Sequence, residues 1–228
     1  GNDAGINAGT REMGVKISSE LTSSRAHERT TIVDFTTPEA TIQHVKFASQ
    51  QGLSIVIGTT GLSELQIAEI KNASKKIPIV LSPNMSVGMN LLFSLVADAA
   101  LVLGETHDME IFEAHHRLKK DAPSGSAVRI AQVLCEATGR KYPDDIRFQR
   151  QGMIGERNRR EIGIQTLRGG DIVGDHTVFF CGDGERVEIK HSATSRNTFA
   201  VGALRAAEWI VGRPAGLYGM KDVLGMGQ

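Results

Sequence analysis

The order of apolar and polar residues changes character near residue 86. Residues 1–28 are polar and Gly-rich without a strong period and read as loop. Residues 31–36, Thr-Ile-Val-Asp-Phe-Thr, read as a short apolar strand. Thr37 suits the N-cap and Pro38 the first turn of a following helix, in which Ile42, Val45 and Ala48 share one face. Residues 54–60 predict a second strand. Residues 63–76 predict a helix with Leu65, Ile67 and Ile70 on the apolar side and Lys71, Lys75 and Lys76 outward, and residues 78–84 a third strand. Apolar strands alternating with helices predict a parallel sheet covered on both faces.

Beyond residue 86 the pattern differs. Residues 86–103 are almost continuously apolar and predict a buried helix; residues 109–113 predict a strand and residues 125–138 a helix. Three alternating runs follow, at 162–167, 172–180 and 185–191, separated by short Gly/Asp turns as antiparallel strands require. Residues 197–211 form a last amphipathic helix with Phe199, Leu204, Ala207 and Ile210 on one face. The expected division is 1–86 as the parallel unit, with 197–228 returning to it, and 87–196 as a second, α+β unit with a mixed open sheet.

Composition narrows the function. Lys plus Arg and Asp plus Glu are 26 each, so the net charge is zero, which weakens the case for nucleic acid or an anionic membrane as partner. Two cysteines, Cys135 and Cys181, do not make a disulfide framework and fit a reducing cytoplasm. There is no long apolar run and no signal-peptide pattern.

The chemistry is concentrated in residues 113–126, Glu-Ala-His-His-Arg-Leu-Lys-Lys-Asp-Ala-Pro-Ser-Gly-Ser. A strand runs through two histidines, an arginine and two lysines into a helix start, where free backbone N–H groups and a partial positive charge attract anions. Lys119 and His116 beside that start make a carboxylate receptor, and His115, titrating near neutrality, can carry a proton. A run of this kind is also a common solvated surface stretch, and Pro-Ser-Gly-Ser is a common cap. A metal site on His115 and His116 is the weaker reading, because neighbours on a strand point to opposite faces and no Cys/His spacing accompanies them.

The same segment resembles the signature of the dihydrodipicolinate reductases, with Ser126 in place of the usual Thr. Residues 33–36, 57–61, 84–90, 168–174 and 195–200 follow in the family's order and spacing, as does the opening Gly-Asn-Asp-Ala-Gly. The resemblance implies a partial Rossmann-like sheet and reduction of a cyclic dicarboxylate by NADPH or NADH in lysine biosynthesis. It places His115 and Lys119 in catalysis, and His116, Gly125, Ser126 and, less directly, Arg196 on the substrate carboxylates. Gly58, Thr59, Thr60, Ser82, Pro83, Asn84, Met85 and Phe35 fall on the nicotinamide side. It also implies a cytoplasmic homotetramer joined through the second unit.

One part of the family pattern has no counterpart. The strand followed by Gly-x-x-Gly-Arg-Met-Gly and a helix does not occur before Thr31. Residues 9–14, Gly-Thr-Arg-Glu-Met-Gly, follow no apolar strand and open no apolar helix. A shortened chain is therefore expected, with the choice between NADPH and NADH not legible. The alternative function is a catalytically incompetent module that oligomerises and holds the dicarboxylate.

Overall fold

The computed structural model describes residues 1–22 and 30–226. In chain order the first elements are α1 (Ala4–Asn7), β1 (Thr31–Asp34), α2 (Pro38–Gln51), β2 (Ser54–Ile57), α3 (Glu64–Ala73), β3 (Pro78–Leu81) and α4 (Val87–Leu103). Then come β4 (Asp108–His115), α5 (Gly125–Thr138), β5 (Ile146–Arg147), β6 (Ile162–Arg168), β7 (Gly174–Cys181) and β8 (Arg186–Ala193). The chain ends with α6 (Asn197–Ile210), β9 (Gly216–Tyr218) and α7 (Met220–Val223).

A four-stranded parallel sheet has the order β1-β2-β3-β9. Its inner strands β2 and β3 are buried on both faces, as continuous apolar runs require, while the edge strands β1 and β9 leave Val33 and Leu217 exposed. Ile42, Val45 and Ala48 of α2 pack with Ile55, Ile57, Ile70 and Ile79 on one side. Val56 and Val80 pack with Ala203, Ala206 and Ile210 of α6 on the other. Full burial of each such isoleucine contributes roughly 1.5–3 kcal/mol. Thr37 caps α2 by accepting from Ala40 N, with Pro38 in its first turn, and Ser63 and Gln66 form a capping box on α3.

Two helix faces differ from expectation. Leu65 is 80% exposed, whereas Ile70 is fully buried. Five residues on a helix rotate by about 140°, so Leu65 and Ile70 cannot share a stripe. In α6 the buried stripe is Gly202, Ala203, Ala206 and Ile210, and Leu204 lies outside it, exposed. The small residues let the helix sit close to the strand ends: a Cβ on Gly202 would collide with the backbone of Met85.

The second sheet is mixed, in the order β5-β6-β4-β7-β8. The runs expected as an antiparallel set are not all neighbours. β7 pairs antiparallel with both β4 and β8, but β6 pairs parallel with β4 on its far side, so β4 separates β6 from β7. One face packs Met109, Ile111, Ile162, Ile164, Val178 and Phe180 against α4 and α5. Helix α4 is not buried all round. Met89, Leu92, Phe93 and Val96 face the sheet, while Leu91, Leu95, Leu101 and Val102 are exposed.

The loop expected over residues 1–28 contains α1, whose N-cap Asp3 accepts from Gly5 N and Ile6 N; residues 23–28 lie outside the described residues. The short strands β5 and β9 had no counterpart in the sequence reading.

Candidate active site

The site grows out of the inner face of the mixed sheet. Along each central strand one face starts apolar and turns polar at one end: on β4 buried Met109 and Ile111 are followed by buried Glu113 and His115, and on β6 buried Ile162 and Ile164 by exposed Thr166 and half-buried Arg168. On β7 the same face runs from Phe180 and Val178 to His176 and Gly174. The strand register sets Glu113 opposite Thr166 on one side and His176 on the other, and His115 opposite Arg168. Side chains far apart in the chain thus meet because they share a face and a rung.

Glu113 has no solvent exposure of its side chain and accepts five hydrogen bonds. Arg168 grips it with two, Nη1 to Oε2 and Nη2 to Oε1, both at 2.9 Å. Ser124 N and Thr166 Oγ1 reach Oε1 at 3.1 Å, and His115 Nδ1 is 2.6 Å from Oε2. Burial alone would raise the Glu113 carboxyl; the bonds from Arg168, His115 and Ser124 N outweigh it and hold the group below the usual carboxylate range. Burial also lowers the His115 imidazole, against the pull of the Glu113 carboxylate, so the ring is neutral at neutral pH.

His176 completes the buried cluster. Its ring stands edge-on to His115 at 5.2 Å, and its Nε2 is 3.0 Å from Ser124 Oγ. Burial, helped by the nearby His115, lowers its pKa to about 4. Ser124 is also the N-cap of α5 and accepts from Ala127 N at 3.2 Å, so one residue links the helix start to both the carboxylate and the second histidine.

In front of this cluster lies a cavity of about 430 Å³. His115, His116 and Lys119 line one wall, and Gly125 and Ser126 bring in the N-terminus of α5. Arg196 and Phe199 enter from the start of α6, and Thr60, Pro83 and Asn84 from the ends of the parallel strands. Lys119 Nζ pairs with Asp121 Oδ1 at 2.8 Å, and Arg196 Nη2 lies 3.5 Å from His116 Nε2. A more open hollow of about 560 Å³ over Arg117 and Leu118 shares only His116 and Arg196 with it and lacks the buried cluster.

All six residues expected in catalysis or on the substrate therefore share one cavity. The eight expected on the cofactor side divide. Thr60, Pro83 and Asn84 reach the cavity, and Asn84 Nδ2 donates to Ser126 Oγ at 3.1 Å, joining the two halves. Thr59 is buried and accepts from Thr36 N and from Thr41 Oγ1, fixing the strand end. Ser82 donates to Asn84 O at 2.8 Å and so shapes the same turn. Phe35, half-exposed, lays its ring on Gly58, where a Cβ would overlap it. Met85 buries its side chain between the sheet and α6, which leaves it no side-chain surface on the cavity.

Glu113, Thr166, Arg168 and His176 were not singled out from sequence. Their signal is in the period-two runs, where one face of a strand changes from aliphatic to polar or ionisable residues.

Comparison with known proteins identifies the family. Models of the dihydrodipicolinate reductase N-terminus and C-terminus match residues 1–85 and 88–224. The 4-hydroxy-tetrahydrodipicolinate reductase of Anaeromyxobacter dehalogenans (strain 2CP-1) is 52% identical over 226 residues, covering 99% of this chain and 83% of the relative. That of Syntrophobacter fumaroxidans is 55% identical over 195 residues, covering 86% of this chain and 73% of the relative. The dipicolinate-bound dihydrodipicolinate reductase from Paenisporosarcina sp. TG-14 superposes with a TM-score of 0.69 at 26% identity, covering 84% of this chain and 72% of that one. The chain belongs to the dihydrodipicolinate reductase family.

Proposed function

We propose that the chain reduces 4-hydroxy-tetrahydrodipicolinate to tetrahydrodipicolinate with NADPH or NADH, a step of diaminopimelate and lysine biosynthesis. One observation carries the reading: a His-Lys turn, a helix N-terminus and the C-terminal ends of parallel strands open into a single cavity. Ligands of open α/β sheets bind at such strand ends.

The residues at those ends fit the nicotinamide end of a dinucleotide. Thr60 offers a hydroxyl and Asn84 an amide beside the diacid wall, and Gly58 lets Phe35 lie flat against the strand end. Among the described residues no strand–Gly loop–helix unit is present for the diphosphate; the helix after β1 opens with Pro38. When bound, the dinucleotide supplies a hydride. His116, Arg196, the backbone at Gly125 and the Ser126 hydroxyl hold the two carboxylates. Lys119 opposes the negative charge that builds on the ring, and His115 handles the proton. Preorganised groups of this kind are each worth roughly 2.7–4 kcal/mol in the transition state.

We also infer a cytoplasmic homotetramer. Its support is the outer face of the mixed sheet, where half-buried Phe112 and Phe179 have no helix over them among the described residues. No helix of the described residues is long and apolar enough to cross a membrane.

The test is NADPH or NADH oxidation with synthase-generated substrate, alongside calorimetry with pyridine-2,6-dicarboxylate. Turnover with diacid binding that weakens in Arg196→Ala supports the reading. Diacid binding without turnover leaves only the module, and no binding at all overturns the site.

A further inference from the structure

We propose that Glu113 is a positioning residue: backed by Arg168, it holds His115 as the Nδ1–H tautomer and so presents the Nε2 lone pair to the reaction cavity. For what reacts there, this rests on the reductase reading.

The geometry fixes the proton. Glu113 and His115 are two residues apart on β4, so their side chains leave the same face and meet at 2.6 Å. Every other partner of the Glu113 carboxylate is a donor: the Arg168 guanidinium twice, Ser124 N and Thr166 Oγ1. A carboxylate in that setting is ionised and accepts only, so the hydrogen in the short contact belongs to the imidazole Nδ1. A neutral imidazole carries one N–H, which leaves Nε2 as an acceptor. The opposite tautomer would set a nitrogen lone pair against a carboxylate oxygen.

The surroundings keep the second ring edge clear. A Cβ on Gly174 would lie 3.0 Å from His115 Nε2, so the glycine gives the ring its room. The groups facing the imidazole are Glu113 on its own strand, Arg168 on β6, His176 on β7 and Lys119 from the following turn. Glu113 is the only anion of the four, and it is wholly engaged by Arg168, Ser124 and Thr166.

The consequence is an order of events. Resting His115 has no proton at Nε2 to give. It takes one from solvent when a dianionic diacid brings negative charge beside the ring. The Nε2–H bond then breaks as a C–H bond forms on the reduced ring, and the imidazole returns to its resting tautomer, held throughout by Glu113.

Nitrogen-resolved NMR of the histidines tests this on the chain alone, without dinucleotide, at a pH where His115 is neutral. The expected spectrum shows Nδ1 of His115 protonated and Nε2 bare; a proton on Nε2 overturns the proposal, whatever the variants do. Glu113→Gln offers the imidazole an N–H in place of an oxygen. It is expected to move the proton to Nε2 and to lower kcat by about 10²–10⁴-fold, with KM for the diacid changed far less. A folded Glu113→Gln protein with the original tautomer and full kcat overturns the assignment. If that variant does not fold, the unmodified chain's spectrum still decides. A chain with the expected tautomer that never oxidises NADPH or NADH counts against the reductase reading and leaves the positioning role standing.

Discussion

The two sheets end their strands at the same cavity with different kinds of residue. The mixed sheet ends in ionisable groups: Glu113 and His115 on β4, Arg168 on β6 and His176 on β7. The parallel sheet hands over to hydroxyls, amides and glycine: Gly58, Thr59 and Thr60 after β2, Ser82 and Asn84 after β3. In the proposed reaction one side moves protons and answers charge, and the other sets the shape against which a flat ring can lie. A charge cluster is tuned by burial and partners, whereas a hydroxyl and backbone edge is tuned only by where its atoms are held.

This contrast predicts where substitutions act. The largest effect belongs to His115→Ala. Turnover should fall by about 10²–10⁴-fold, the usual worth of a positioned acid or base, while KM for the dinucleotide stays near its original value. Unchanged turnover with a raised KM for the diacid would mean that the mixed sheet serves binding more than chemistry.

Next is the acid response of His176. Its folded pKa, about 4, is below the ordinary imidazole value of 6.5. Between these values the unfolded chain binds more protons than the folded one, so stability falls as the pH drops from about 6.5 toward 4 and the loss levels off below that. The size is about 3 kcal/mol, read as the difference in denaturation midpoint between pH 7 and pH 4. In His176→Gln that portion of the slope should vanish. Glu113 adds a loss of its own at lower pH: its folded pKa is depressed, so its contribution is full above the ordinary carboxylate value and disappears as pH falls through the folded one.

The smallest effect tests the other edge. Thr59→Val removes the acceptor of Thr36 N and Thr41 Oγ1 and should cost about 1–3 kcal/mol in denaturant titration, the same at pH 5 and pH 8. A clear pH dependence in that variant would blur the distinction between the two edges.

The parallel unit was largely legible because its signals are local. Thr37-Pro38 opens α2, and short apolar runs separated by capped helices state a parallel sheet within a few dozen residues. Helix faces were less legible where an apolar residue such as Leu65 or Leu204 lies off the buried stripe, since a count of apolar positions does not say which of them meet a neighbour. The mixed sheet hid more. That β6 lies on the far side of β4 follows from long-range pairing, and the contact between Thr166 and Glu113 spans 53 residues. The residues that line the cavity wall, His115, His116 and Lys119, stand together in one motif. Those that hold them from behind, Arg168 and His176, come from other strands.

The chain passes between the two sheets twice, just before α4 and just before α6, and the crossings are close: Ser86 Oγ is 3.5 Å from His191 Nε2, and a Cβ on Gly88 would press on the same ring. Two neighbouring strands of backbone act like the pins of a door. Any swing of one half against the other turns about that line, and the strand ends nearest it, at Asn84 beside Ser126, travel least.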